Sequence, residues 1–214
     1  MSISIETIEV TPFEQNCRII YNNQTNKALV IDPGGDIQKI NEVLNSKNLI
    51  VEAILLTHGH IDHIGATVDL KEQWAAPIYA HRGDEFLISN AEDHGKMFRF
   101  KTKSIKNVDH WLTDEEVLSL IDIKIKVLHT PGHSPGSCCF YLERPKKIVI
   151  VGDVLFAGSI GRTDLPGGKH QTLIRSIREK LFVLSDKTIV MSGHGPNTTI
   201  GVEKETNPFL QPSS

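Results

Sequence analysis

The stretch Thr57-His58-Gly59-His60-Ile61-Asp62-His63-Ile64-Gly65 follows directly on the apolar run Ala53-Ile54-Leu55-Leu56. That run is short and aliphatic and soon gives way to glycine, so it reads as a buried β-strand. The polar stretch is then a loop leaving the strand's C-terminal end, with a helix expected from Ile64 to Trp74 packing through Val68, Leu70 and Trp74. Strand–loop–helix junctions are where α/β proteins place their chemistry. Side chains two apart on extended backbone share a face, so His58 and His60 point the same way. Asp62 and His63 come after the turn and can aim at a second point nearby. Neutral imidazoles and a carboxylate suit Zn²⁺, Fe²⁺ or Mn²⁺. One ion would leave some of these groups idle, so the spacing asks for two ions side by side.

The same pattern of a strand ending in a turn with a ligand-type residue recurs along the chain. Lys27 to Ile31 reads as a strand that ends at Asp32, and Asp36 is expected to cap a helix packing through Ile37, Ile40, Val43 and Leu44. Ile121, Ile123, Ile125 and Val127 alternate in a strand running into His129-Thr130-Pro131-Gly132-His133, whose prolines and glycines fix a rigid loop. Lys147 to Val151 ends at Gly152-Asp153, and Thr188 to Met191 leads into Ser192-Gly193-His194-Gly195. His81 and His129 are expected to serve as strand-end residues held by hydrogen bonds. Residues 82–107 are the least regular part: a helix is expected over 84–91 and a loop over 93–100. That loop's Met97, Phe98 and Phe100, interleaved with Lys96, Arg99, Lys101 and Lys103, could flank an opening and hold an anion. The glycine-rich segment 155–168 lacks the GK[ST] ending of a phosphate-binding loop. A helix follows over 170–182, and Asn197 to Thr199 can cap a last one over 200–206.

Composition narrows the function classes. The chain has 214 residues, 39% hydrophobic and 23% charged, as expected of a globular protein. A net charge of −3 gives no reason to expect nucleic acid or an anionic membrane as partner. No apolar run is long enough to cross a bilayer, and the N-terminus lacks a secretory pattern, so a cytoplasmic protein is expected. Three cysteines, Cys17, Cys138 and Cys139, with no CxxC spacing, fit a reducing compartment. The adjacent pair falls in an apolar strand and reads as buried and inert.

The order His58-Gly59-His60-Ile61-Asp62-His63 resembles the HxHxDH signature of the metallo-β-lactamase superfamily. The later HTPGH, Gly-Asp and GHG stretches resemble it too. Within the superfamily the chain looks like the short, single-domain glyoxalase II-like proteins, the hydroxyacylglutathione hydrolases, from near residue 3 to Phe209. The resemblance implies one α/β domain over residues 1–214, a four-layer αββα sandwich with the site along one edge. It implies that His58, His60 and His133 hold one divalent ion, that Asp62, His63 and His194 hold a second, and that Asp153 bridges them. Two Zn²⁺ ions are expected, with Fe²⁺ or Mn²⁺ as alternatives. An aspartate at Asp32 would brace the site.

The implied reaction is hydrolysis of S-(2-hydroxyacyl)glutathione, chiefly S-lactoylglutathione, a small-molecule thioester. Water shared by two divalent ions deprotonates near pH ~7 and attacks, with Asp62 orienting it. A thiol of pKa roughly 8.5 leaves as thiolate without a dedicated general acid, which favours a thioester over an amide. Two-domain glyoxalase II enzymes grip glutathione with a C-terminal helical domain that this sequence does not contain. Arg162 stands where those enzymes place a basic contact in the loop, and the competing expectation for it is a salt bridge to Asp164. Persulfide dioxygenases share the motif and the Gly161-Arg162-Thr163-Asp164 stretch but use a single iron. The endings around Gly193 to Gly201 and Thr206 to Phe209 resemble the hydrolases better. A lactonase is the other alternative.

Overall fold

Two six-stranded sheets face each other in the computed structural model, which describes residues 2–211. The first contains β1 (Ile3–Val10), β2 (Gln15–Asn22), β3 (Lys27–Ile31), β4 (Ile50–Leu55), β5 (Ile78–His81) and β6 (His110–Leu112), in sequence order. Its first three strands are antiparallel and the rest run parallel. The second is built on β7 (Val117–Leu120), β8 (Ile123–His129), β9 (Cys138–Leu142) and β10 (Ile148–Gly152). After the small hairpin β11 (Leu155–Phe156) and β12 (Ser159–Ile160), β13 (Ile189–Ser192) joins β10 in parallel and β14 (Thr198–Thr199) closes the edge.

Strand periodicity explains the layering. Successive side chains on a strand point to opposite faces. Ile20, Leu29, Ile31, Ala53 and Leu55 therefore face inward, where they meet Val127, Phe140 and Ile150 of the second sheet. Their neighbours Ile19, Val30 and Ile54 face outward and pack on Ile40, Leu44, Leu70 and Ile88. The helices of that outer layer are α1 (Ile37–Ser46), α2 (Ile61–Ile64), α3 (Thr67–Trp74), α4 (Glu85–Ser89) and α5 (Ala91–Met97). On the far side, Cys139, Val149, Val151 and Val190 pack against Leu173, Ile177, Leu181 and Ile200. Those belong to α6 (His170–Ser176), its π-helical continuation Ile177–Leu181, and α7 (Ile200–Thr206). Helix, sheet, sheet, helix is the expected sandwich. Where both faces are covered, as at β3, β9 and β10, the strands are apolar runs, whereas β8 keeps a period of two over its first residues because its outer face is partly open. Cutting back an interdigitated side chain such as Phe140 would cost about 3–5 kcal/mol.

Several local expectations change. The helix expected from Ile64 is two pieces: Asp62 and His63 already lie on the single turn α2, and α3 starts at Thr67. The break is imposed by the Pro33–Gly35 loop. Ala66 N donates to the Pro33 carbonyl at 2.8 Å, and a Cβ at Gly65 would overlap the Gly34 carbonyl. The loop expected over 93–100 is instead α5 up to Met97, with Ala91 and Gly95 buried one turn apart. Its Lys96 is paired with Glu92 and Asp93, and Lys103 with Asp69 and Glu72. Asp36 stands at the N-cap position of α1, as expected, but its side chain makes no cap bond. It adopts a left-handed conformation (φ 47°), and its carboxylate accepts from Thr11 N and Lys39 Nζ. Thr199 does cap α7, accepting from Val202 N. All three cysteines are buried and free. Among the described residues no helix is long and apolar enough to cross a membrane.

Candidate metal centre

Each ligand-type residue stands just past a strand, and the sheet pairing gathers those strand ends on one edge. β4 delivers His58 to His63, β8 delivers His133, β10 delivers Asp153 and β13 delivers His194. Main-chain bonds lock the loops together. Cys138 N donates to the Thr57 carbonyl at 2.8 Å, Gly193 N to Gly152 O at 2.8 Å, and Asn16 N to Gly193 O at 2.7 Å.

Two clusters result. His58 Nε2, His60 Nδ1 and His133 Nε2 lie 2.9–3.2 Å from one another. Beside them, His194 Nε2 is 3.2 Å from Asp62 Oδ2 and 3.4 Å from His63 Nε2. Asp153 stands between: Oδ1 is 3.2 Å from His63 Nε2, and Oδ2 is 3.6 and 3.7 Å from His194 Nε2 and His133 Nε2. All seven residues singled out from the HxHxDH, HTPGH, Gly-Asp and GHG stretches are thus in one place. His58, His63 and His133 are fully buried.

The outward-facing ring nitrogens set the tautomers, and these test whether a cation fits. His133 Nδ1 donates to the Arg162 carbonyl at 2.8 Å, and His194 Nδ1 to the Phe13 carbonyl at 2.9 Å. Thr57 Oγ1 gives its only proton to Asp32 Oδ2 at 2.5 Å, so His58 Nδ1, 3.1 Å away, must donate to Thr57. In the neutral rings, then, His58, His133 and His194 aim lone pairs at the centre. His58 and His133 do so 3.2 Å apart, sharing at most one proton from His60. Asp153 Oδ1 is buried, with the His63 ring nitrogen 3.2 Å away as its one close polar neighbour and no well-aligned hydrogen bond. A pocket with more electron pairs than protons, and with each imidazole held from behind, suits divalent cations.

The electrostatics differ between the clusters. Burial, followed by the charges of neighbouring histidines, drives His58 well below the ordinary histidine value and His60 down to about 3. Burial also pulls on His63, but the carboxylates of Asp153, Asp62 and Asp32 outweigh it and hold that imidazole well above its usual value. Burial likewise opposes, and the hydrogen bond to Asp62 and the charge of Asp153 restore, a raised value at His194. Burial raises the carboxyls of Asp62 and Asp153, yet the facing histidines bring both below the usual range. The first cluster is neutral, and the second is charge-paired.

The family described as the metallo-beta-lactamase superfamily matches residues 10–194. The chain belongs to that superfamily. Its αββα sandwich and its edge-on cluster of histidines and aspartates are those of a metallo-β-lactamase fold. The chain is similar to the protein named hydroxyacylglutathione hydrolase GloC of Haemophilus influenzae, 42% identical over 99% of this chain and 100% of that one. It is also similar to the crystal structure of the BLEG-1 B3 metallo-beta-lactamase, with TM-score 0.91, 39% identity, and 98% and 100% of the two chains covered. TTHA1623, solved in a di-iron-bound form, matches with TM-score 0.88 and 36% identity over 96% of this chain and 100% of that one.

The residues around the metallo-β-lactamase site divide into those foreseen and those not. Asp32 accepts from Thr57 N, Thr57 Oγ1 and His63 Nδ1, so it braces His63 directly and His58 through Thr57. His129 Nε2 donates to Pro135 O, and His81 Nδ1 accepts from Gly83 N, the holding roles expected of both. Arg162 is exposed and paired through both of its forked nitrogens with Asp164, at 2.7 Å each. Not foreseen are Asn16 and Arg18 on β2, whose side chains donate to the Ser192 carbonyl and fasten the His194 loop. A signal was available: β2 is buried along its whole length yet carries Gln15, Asn16, Arg18 and Asn22, polar side chains that must find partners inside. Asp84, buried behind the first cluster, gave no such signal.

Proposed function

We propose that the protein is a binuclear metallohydrolase of thioesters, acting on S-(2-hydroxyacyl)glutathione and chiefly on S-lactoylglutathione. His58, His60 and His133 hold one divalent ion, Asp62, His63 and His194 hold a second, and Asp153 serves both. The observation that carries this reading is the convergence of His58, His60 and His133 on one side and Asp62, His63 and His194 on the other, with the Asp153 carboxylate standing between them. The full-length similarity to GloC supports the substrate class. Zn²⁺ is the ion assigned, on the imidazole and carboxylate donors. Fe²⁺ is the alternative, on the di-iron-bound form of TTHA1623.

When bound, such ions acidify shared water and polarise a carbonyl. Around them the chain's own groups do the rest. Asp62, kept ionised by His63 and His194, accepts a hydrogen from the attacking water and fixes its direction. Asp32, Thr57, the Arg162 carbonyl and the Phe13 carbonyl keep the imidazoles from rotating. Arg162, on the loop whose carbonyl receives His133, meets a carboxylate of the glutathione moiety. The thiolate departs unprotonated.

The deciding experiment measures metal stoichiometry and S-lactoylglutathione hydrolysis on the same sample. Release of glutathione by protein carrying two ions per chain is expected. Oxygen consumption with glutathione persulfide at one iron per chain, or turnover of lactones or β-lactams in place of thioesters, would overturn the assignment.

A further inference from the structure

Asp84 closes the short 3₁₀ turn Arg82–Asp84 that follows β5, and its side chain is buried without reaching either cluster. It joins two loops that lie far apart in sequence. Oδ2 accepts from Gly59 N at 2.8 Å and from Ser134 Oγ at 2.7 Å, and Oδ1 accepts from Gly136 N at 2.6 Å. Gly59 sits between His58 and His60, and Ser134 follows His133. All three partners are uncharged donors, so the carboxylate is not here to neutralise a cation.

The surroundings are built for this contact. Ser134 Oγ gives its proton to Asp84, so at 2.8 Å it must receive one from Ser137 Oγ, which in turn accepts from Ser134 N at 3.1 Å. Every polar atom of that relay is matched. Three glycines let the backbones close in. A Cβ at Gly136 would sit 2.6 Å from Asp84 Cγ, one at Gly59 would sit 2.9 Å from Leu87 Cβ, and one at Gly83 would sit 2.7 Å from Pro135 O. A methyl group at any of them would push the loops apart.

We propose that Asp84 is a positioning residue that ties the His58–His60 turn to the His133 loop, and so sets the spacing of those three nitrogens. This rests on the two-ion reading above. Asparagine at this position cannot reproduce the contact. An amide has one oxygen, so either the Gly59 or the Gly136 N–H would face an NH₂ group. The consequence is local. The first cluster loosens, while the second, held by Asp32, Asn16, Arg18 and the Phe13 carbonyl, does not.

Co²⁺ titration of metal-free protein, followed by visible absorption, tests this in two backgrounds. His194→Ala leaves the first cluster as the intact triad, and His60→Ala leaves the second. Adding Asp84→Asn should weaken Co²⁺ binding by about 10–100-fold in the first background, the effect typical of residues behind metal ligands. It should leave the second unchanged. Equal weakening in both backgrounds, or none in the first, would overturn the proposal. Should the Asp84 variant not fold, Ser134→Ala withdraws one donor only and carries the same comparison. A smaller loss confined to the first cluster supports the tie, and no loss there refutes it. If neither background binds Co²⁺ with Asp84 intact, the two-ion reading itself fails, and that is seen before any Asp84 variant is made.

Discussion

Asp32 Oδ2 lies 2.9 Å from Nδ1 of His63, and both side chains are buried. The contact leaves His63 Nε2 facing Asp153 and Asp62. The same carboxylate holds Thr57 twice, and through Thr57 it reaches His58. One aspartate at the end of β3 thus sets ring orientation in both clusters. Asp32→Ala removes an acceptor from three buried donors and leaves His63 without its nearest counter-charge. Metal-free protein should lose about 3 kcal/mol in urea unfolding, and metal affinity should fall by about 10–100-fold. A variant that kept both stability and affinity would mean that Thr57 and His63 orient themselves.

The pKa directions give the metal-free protein a stability maximum near the ordinary histidine value. His63 and His194 titrate higher in the fold than unfolded. Their contribution is complete below about 6.5 and is lost as pH rises through the folded values. His58 and His60 titrate lower in the fold, and His81, half-buried against His129, is lowered to about 4. Below about 6.5 the unfolded chain takes up protons that these three refuse, so stability falls as pH drops. Asp62 and Asp153 add a further loss below about 3.8. Urea midpoints of chelator-treated protein should therefore peak near pH ~6.5 and decline on both sides. With His63 as a ligand, as proposed, metal loading expels its proton, so the acid side should steepen in metal-loaded protein. A flat profile would contradict the charge-pairing of the second cluster.

What could be read from sequence follows from how local each signal is. His58, His60, Asp62 and His63 sit within six residues, and His133, Asp153 and His194 each follow an apolar strand, but it is their match to the HTPGH, Gly-Asp and GHG stretches that singles out these three, since strand-end position alone says little. Thr57, Arg18 and Asp84 act through partners 25 to 174 residues away, and no short window contains such a pair. β6 and β7 are three- and four-residue strands at sheet edges, too short for a period to show. α5 was obscured because Asp93, Lys96 and Gly95 look like a loop. Gly95 is there because Phe100 and Thr102 pack where its side chain would be.

Gly193 tests how tightly the clusters are joined. A Cβ there would overlap Asp153 Oδ1 and come within 2.6 Å of His63 Cε1. Neither can retreat, since His63 is fixed by Asp32 and Asp153 directly follows the last residue of β10. Gly193→Ala should displace the carboxylate proposed to serve both ions, abolishing the second equivalent of bound metal and nearly all hydrolysis. The fold should persist, judged by far-ultraviolet circular dichroism. Full metal content in this variant would show that Asp153 does not occupy the shared position.

Arg162 and Asp164 form an exposed, two-pronged pair on the loop that receives His133, and the bond from Arg162 holds the Asp164 carboxyl down to about 2. Exposed pairs contribute little to stability, so the arrangement matters through what the guanidinium can release and grasp. If it leaves Asp164 for a substrate carboxylate, the two substitutions must act in opposite directions. Arg162→Ala should raise KM for S-lactoylglutathione with kcat little changed, the pattern of lost uniform binding. Asp164→Asn should lower KM by freeing the fork, and added salt should raise the KM of this variant, since an exposed charge contact is screened. Unfolding midpoints should stay unmoved in both variants. A raised KM in both would mean that the pair shapes the loop as a unit and that glutathione is gripped elsewhere.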